Sequence, residues 1–337
     1  MSSGWKIDTC EEKQALLARV RDVALTALQQ YDLAWTEIKF NKMSDAITFK
    51  IITETWDCFL LRIHNEARQK SEIYGEMMFL DHLRSQNITT PVGQKSRSGE
   101  HVLDFVSPDG ETLYATLLTW IDGDVLSEPP TDIQAKNMGC LLAQLHNASA
   151  SFFPEENQSF PEWGVERFRE NMKKLSQYHS IFLSEKGWEM YQRVADKIIV
   201  ELEKVEKCSQ NYGFIHGDFH MENIIFRENT AFPIDFGRCG YGYFLYDIAS
   251  TILGLGWQSR KNFVEGYVGF RKLALDYERM LETMFVKVMI ENYCHHCSDP
   301  RETEGLVAEQ PYAQAYIQAY LQERSFLFEP LERRNEK

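Results

Sequence analysis

Residues 214–226 read FIHGDFHMENIIF: two histidines, an aspartate, a glutamate and an asparagine set between apolar runs. A core strand avoids so many polar groups, and a surface loop does not need so many apolar ones. NIIF (223–226) has strand composition, RENT (227–230) is a turn, and AFPID (231–235) returns as a second strand. Asp218 and Asn223 then lie in or at the end of the loop before the hairpin, and Asp235 lies at its far end. Asn223 and Asp235 are oxygen ligands suited to a hard cation such as Mg²⁺, which completes its shell with phosphate and water. Asp218, five residues before Asn223, is placed to face a hydroxyl. One carboxylate to orient a hydroxyl and take its proton, with metal ligands to hold nucleotide phosphates, is the set that phosphoryl transfer requires. Gly217 and Gly237 beside the acids allow the bends that aim them. The plain alternative is a polar turn at a hairpin.

Composition narrows the classes. A chain of 337 residues, 44% hydrophobic and 26% charged, has ordinary globular composition and enough length for two lobes. Seven scattered cysteines suit a reducing, cytoplasmic setting better than a disulfide framework. No apolar run is long enough to span a membrane. A formal net charge of −14 argues against nucleic acid as a partner and favours a cationic one.

Along the chain, helical spacing over 11–32 gives way to strand patterns at 46–53, 58–63, 101–106 and 112–121. The last two are joined by the turn signal SPDG (107–110), and a helix is expected at 69–85. Beyond a short linker near 120–123 the pattern turns helical at 131–149, 164–177, 185–208, 247–258, 259–297 and 310–326, with the hairpin inserted. There is no internal repeat.

HGDFHMEN (216–223), followed twelve residues after Asn223 by IDFG (234–237), resembles the phosphotransferase family of aminoglycoside kinases, choline kinases and type II homoserine kinases, relatives of the protein kinases. FLLRIH (59–64), MGCLLAQLHNAS (138–149) and GYFLYDIAS (242–250) match as well, so the resemblance spans about residues 35–260. It implies an α+β, two-lobed protein kinase-like fold. Residues 1–121 would form a nucleotide-binding lobe, a small sheet with one helix, and residues 122–337 a larger, mainly helical catalytic and substrate-binding lobe. By position Asp218 resembles the catalytic base, and Asn223 and Asp235 the metal ligands. ATP and Mg²⁺ follow as cofactors, and a hydroxyl of a small molecule as the acceptor. His216 resembles a structural brace and His220 a common occupant of its place. Asp247 resembles a brace of the catalytic loop, and it is also placed to cap the helix it begins.

The small lobe departs from a standard kinase. Arg62 stands where most kinases carry a phosphate-binding lysine, which keeps charge and changes geometry. Its expected partner is Glu76, on the edge of the apolar face of the 69–85 helix, where a carboxylate needs a cation; a snorkelling glutamate is the alternative. FNKMSDAITF (40–49) stands where a glycine-rich loop is expected and has no glycine, leaving the amides of Lys42–Asp45 to cover phosphates. Backbone groups around Thr119–Ile121 would meet the adenine edge, with Trp120 as packing or stacking wall. Two other readings of the fold stay open: a serine/threonine protein kinase, and a catalytically weak scaffold. Only ten residues separate Asp235 from Tyr246, too few for a long activation segment. CHHC (294–297) has neither the geometry nor the second pair that zinc needs. The acidic, aromatic segment 151–170 would place negative potential beside Asp218 and draw in a cationic, amine-bearing alcohol.

Overall fold

The computed structural model describes residue 5 and residues 10–107, 110–154 and 160–331; part of the SPDG turn and residues 155–159 of the aromatic segment lie outside the described residues. The chain forms two compact units, Met1–Asp122 with Phe153–Phe160, and Gly123–Phe152 with Pro161–Lys337. The expected division at 121/122 assigned 153–160 to the second part. The ring of Phe160 instead lies against Gly75, within the first unit.

The first unit is an antiparallel sheet in the order β1-β2-β3-β6-β4, with β5 also on β6. Its strands are β1 (Trp35–Met43), β2 (Ala46–Thr53), β3 (Cys58–Asn65), β4 (Gly93–Gln94), β5 (Leu103–Val106) and β6 (Thr112–Thr119). Alternation sorts its side chains. Ile47, Phe49 and Ile51, Leu61 and Ile63, and Leu113, Ala115 and Leu117 join Val20, Val23 and Ala27 of α1 (Cys10–Leu28) in one apolar core. The intervening residues Thr48, Arg62, His64 and Thr116 face the other way and are buried too. α2 (Lys70–Ser85) brings Glu76 to Arg62 of that set. The sheet therefore serves two helices rather than one. β1 was not expected, because alternating Lys and polar residues hide an edge strand; the glycine-free stretch 40–49 is the β1/β2 hairpin, with Ser44 and Asp45 between the strands.

The second unit runs α3 (Asp132–Ser149), α4 (Val165–Tyr178), α5 (Glu185–Glu203), β7 (Tyr212–Ile215), β8 (Ile224–Arg227), β9 (Thr230–Pro233), β10 (Gly240–Tyr243), α6 (Phe244–Leu253), α7 (Trp257–Val268), α8 (Tyr277–His296) and α9 (Thr303–Leu321). The single helix expected over 259–297 is two, broken by the turn after Gly269. The hairpin β8/β9 turns at Glu228 and Asn229. A second antiparallel pair, β7 with β10, lies beside it. These four-residue strands of Gly and Tyr carry too little periodicity to be read in advance. Among the described residues no helix is long and apolar enough to cross a membrane.

α3 and α7 cross at near backbone contact. A Cβ on Gly139 would come within 1.9 Å of the Phe263 carbonyl, and one on Gly266 within 2.0 Å of the Lys136 carbonyl. The contact sets Tyr267 against His146, 2.9 Å from hydroxyl to Nδ1. Gly139→Ala should cost about 1–3 kcal/mol, the usual penalty for forcing volume into a packed contact. Urea unfolding should show this as a lowered midpoint at unchanged slope.

Candidate active site

β7 delivers the chain into His216, Gly217 and Asp218. The bend needs glycine: Gly217 has φ +76°, and a Cβ there would meet the Arg238 carbonyl at 2.2 Å. The amides of His216 and Gly217 donate to the two carboxylate oxygens of Asp247, each at 2.8 Å. Asp247 lies inside α6, which starts at Phe244, so it does not cap that helix; its carboxylate reaches the loop instead. His146 of α3 contacts the same carboxylate at 3.1 Å through Nε2. Burial holds the His146 imidazole below its ordinary value despite the pull of Asp247, so the ring is neutral, donating to Asp247 and accepting from Tyr267. His216 braces the loop from within. Its Nε2 donates to the Ile234 carbonyl at 3.0 Å, and its Nδ1 accepts from the Asp218 amide at 3.3 Å.

Asn223 closes the loop in a short 3₁₀ turn before β8. Its Nδ2 donates to the Asp218 carbonyl at 2.9 Å and lies 3.3 Å from Asp218 Oδ2 and 3.1 Å from His220 Nε2. The amide nitrogen is thereby committed and Oδ1 remains as the acceptor. The Ile234 amide bonds the Asn223 carbonyl at 2.9 Å, which sets Asp235 one residue beyond Asn223's backbone partner. Asp235 takes the left-handed conformation, φ 59° and ψ 66°, and its exposed carboxylate makes no hydrogen bond or salt bridge among the described residues. A strained non-glycine backbone there is of the kind that clusters at functional sites. An amide oxygen and an uncommitted carboxylate are hard donors of the kind Mg²⁺ takes, with room left for phosphate and water. The donor set fits that ion.

Burial works to raise the Asp218 carboxyl. Arg238, then His220 and His216, outweigh it and hold the group well below the usual carboxylate range. Arg238 Nη1 lies 3.4 Å from Asp218 Oδ1. His220 is lowered by burial but raised further by Asp218, Glu222 and Asp235. Arg238 and two histidines thus stand directly against Asp218, with Glu222 and Asp235 acting on His220; Glu155 and Glu156 of the acidic segment lie outside the described residues. The described acids of 151–170 include two that are spent elsewhere: Glu162 on Lys207 and Tyr212, and Glu166 on Arg169.

In the first unit Arg62 Nη1 donates to Glu76 Oε1 at 2.7 Å, and Arg68 Nη2 to Oε2 at 2.8 Å. Burial raises the Glu76 carboxyl, but the two guanidinium groups bring it below its ordinary value. Arg68 was missed in the sequence because it sits in the turn before α2, outside any periodic segment. Arg62 Nη2 has no hydrogen-bond partner among the described residues. His64 beside them is kept well below its ordinary value by burial and by both arginines. A phosphate oxygen suits that orphan donor.

Some of the backbone amides expected to meet a nucleotide already have partners. The Lys42 amide is taken by the Thr48 hydroxyl at 3.1 Å and that of Ser44 by the Ala46 carbonyl at 3.0 Å, so neither is spare for a phosphate. Thr119 commits both its amide and its hydroxyl to Val92, at 3.0 and 2.9 Å, and the Trp120 amide bonds the Cys58 carbonyl at 3.0 Å. Of the trio proposed for a base edge, only the Ile121 amide is without such a bond among the described residues. Lys50 lies 4.2 Å over the Trp120 ring. Around CHHC, no cluster of three or more metal-binding His, Cys, Asp or Glu side chains occurs among the described residues. Cys294 and Cys297 are buried at the end of α8.

The model of the phosphotransferase enzyme family matches residues 38–282. Amicoumacin kinase of Bacillus subtilis is 22% identical over 238 residues, 70% of this chain and 68% of that protein. An amicoumacin kinase solved with AMP-PNP and Ca²⁺ superposes with a TM-score of 0.77 at 16% identity, covering 95% of this chain and 98% of that one. A microcompartment-associated aminopropanol kinase does so with 0.77 at 20% identity, covering 90% and 98%. The fold is the α+β kinase-like one.

The charge balance at Asp218 sets an expected pH response. A carboxyl held down by Arg238 stays ionised as pH falls through the ordinary carboxylate range. Arg238→Gln removes the largest lowering influence and leaves burial, which raises the group. The acidic limb of kcat/KM should move to higher pH in the variant. An unmoved limb would show that Arg238 does not set the ionisation of Asp218.

Proposed function

Because the chain belongs to the phosphotransferase enzyme family, we propose that it transfers the terminal phosphoryl group of ATP, with Mg²⁺, to a hydroxyl of a small molecule. The observation that carries this reading is the joint placement of Asp218, Asn223 and Asp235 in one loop and hairpin, each with its chemistry uncommitted or poised. Asp218 orients the acceptor hydroxyl and takes its proton as that oxygen bonds to phosphorus. A carboxylate stabilised this strongly is a weak base, so proton transfer comes late and positioning carries more of the effect. Asn223 Oδ1 and Asp235 would hold Mg²⁺, which supplies charge neutralisation for the phosphates. In the first unit, Arg62, kept in place by Glu76, would bind a phosphate oxygen through Nη2, and the Ile121 amide would meet the base.

A small-molecule acceptor is favoured over a protein. The residues after Asp235 turn at once into β10, paired with β7, and lead directly into α6. No long segment intervenes to bind a peptide or to be regulated by phosphorylation. The names of the relatives, amicoumacin and aminopropanol kinases, favour an alcohol that also bears an amine. The committed amides of the β1/β2 hairpin favour the scaffold alternative, whereas the arrangement around Asp218 favours an enzyme.

The test is Mg²⁺-dependent ATP turnover against a panel of hydroxylated amines, sugars and antibiotics. Asp218→Asn should keep nucleotide binding and cut turnover by about two to four orders of magnitude, the usual worth of an oriented general base. Turnover within a few-fold of the parent would remove Asp218 from the chemistry. Asp235→Ala should abolish the tightening of ATP binding by Mg²⁺ in calorimetry, since neutral Asn223 cannot hold the ion alone. An identical Mg²⁺ dependence in the variant would place the metal elsewhere.

A further inference from the structure

Trp163 is almost wholly buried beside the catalytic loop, and its indole N–H donates to the Arg238 carbonyl at 3.0 Å. Two guanidinium groups lie on this one indole, Arg238 with Cζ 4.6 Å from the ring centroid and Arg167 at 4.3 Å. Arg238 has an anion, Asp218. Arg167 makes no hydrogen bond or salt bridge among the described residues. Its helix neighbour Glu166 is bonded to Arg169 at 2.6 Å. The next layer holds a buried ion pair: Lys287 lies over Tyr246, which itself flanks Trp163, and is paired with Glu291 at 2.9 Å. Arg167 also stands in the first turn of α4, where the helix dipole disfavours a cation, and Gly164 supplies no side-chain cap. A half-buried guanidinium is thus held against two unfavourable fields by the indole that also carries Arg238, the partner of Asp218.

We propose that Arg167 receives an anionic group carried by the acceptor alcohol, a carboxylate or a phosphate. This rests on the phosphotransferase reading and deepens it. The planar fork of an arginine matches two anionic oxygens, and the indole fixes the plane in which it presents them. An acceptor anchored there by its anionic end would offer a nearby hydroxyl to Asp218. An amine elsewhere on the same molecule is compatible with this, so the acceptor class includes hydroxylated amino acids as well as phosphorylated alcohols.

Matched pairs that differ only in the anionic group test the proposal: serine against ethanolamine, threonine against 1-amino-2-propanol, homoserine against 3-aminopropanol, glycerol 3-phosphate against glycerol. With Mg²⁺ and ATP, kcat/KM should favour the anionic member of at least one pair by about ten- to a hundredfold, the worth of a charge-assisted hydrogen bond. Arg167→Gln should remove most of that preference through KM, and Arg167→Lys should restore part of it. A ratio of one or less in every pair, including no turnover of any member, overturns the proposal. So does a preference that survives in Arg167→Gln. Slow Mg²⁺-dependent ATP hydrolysis by the parent protein without acceptor separates the two readings: if it persists while the pairs show no preference, only the anionic acceptor fails.

Discussion

The carboxylate of Asp247 is sealed from solvent and accepts three N–H groups, from the His216 and Gly217 amides and from His146. Each buried donor left without a partner costs about 1–3 kcal/mol, so this one side chain fixes the bend that precedes Asp218. The network runs on through His146 to Tyr267, and from there into the glycine contact between α3 and α7. Thr251, one turn along α6, adds a bond from its hydroxyl to the Phe219 carbonyl at 2.6 Å. The loop that carries Asp218 is thus held by helices rather than by its own sequence. Asp218 can lean on Arg238 without the backbone yielding.

Much of this arrangement was legible locally. HGDFHMEN and IDFG stand at the ends of a short hairpin, so turn chemistry and strand composition alone bring Asn223 and Asp235 together. The pairing of Arg62 with Glu76 followed from the family resemblance at FLLRIH and from the position of a glutamate beside an apolar helical stripe. What escaped was long-range or non-periodic. His146 reaches Asp247 across 101 residues and Tyr267 across 121, distances at which no window of sequence carries a signal. β7 and β10 are too short and too rich in glycine and tyrosine to alternate. Arg68 sits in a turn, and β1 is an edge strand whose exposed charges mask its fold.

In the first unit the geometry of one guanidinium decides what it can offer. Glu76 takes Arg62 on one carboxylate oxygen and Arg68 on the other, so both oxygens are spent inside the unit. Thr116 accepts from Arg62 Nε at 3.3 Å, which fixes the plane of the guanidinium and leaves Nη2 as its unmatched corner. A lysine at this place would present a rotating point charge; the arginine presents a direction.

The net charge of the chain proved a poor guide to its site, for a physical reason. Many of the fifty acidic residues lie on solvated surface, where water and salt screen them over about 8–10 Å. Near Asp218 the packed rings of Trp163 and Tyr246 are buried, so the few charges held on them are screened less than the many outside. Those few are mainly arginine and lysine. Indole and phenol faces are among the few neutral groups that can hold cations close together without consuming them in salt bridges. The stacking therefore does two things at once: it sets Arg238 between the indole and Asp218, and it holds Arg167 without a salt bridge among the described residues. The acidic composition sets one electrostatic preference over the chain at large, while the buried aromatic plate sets an opposite, local one.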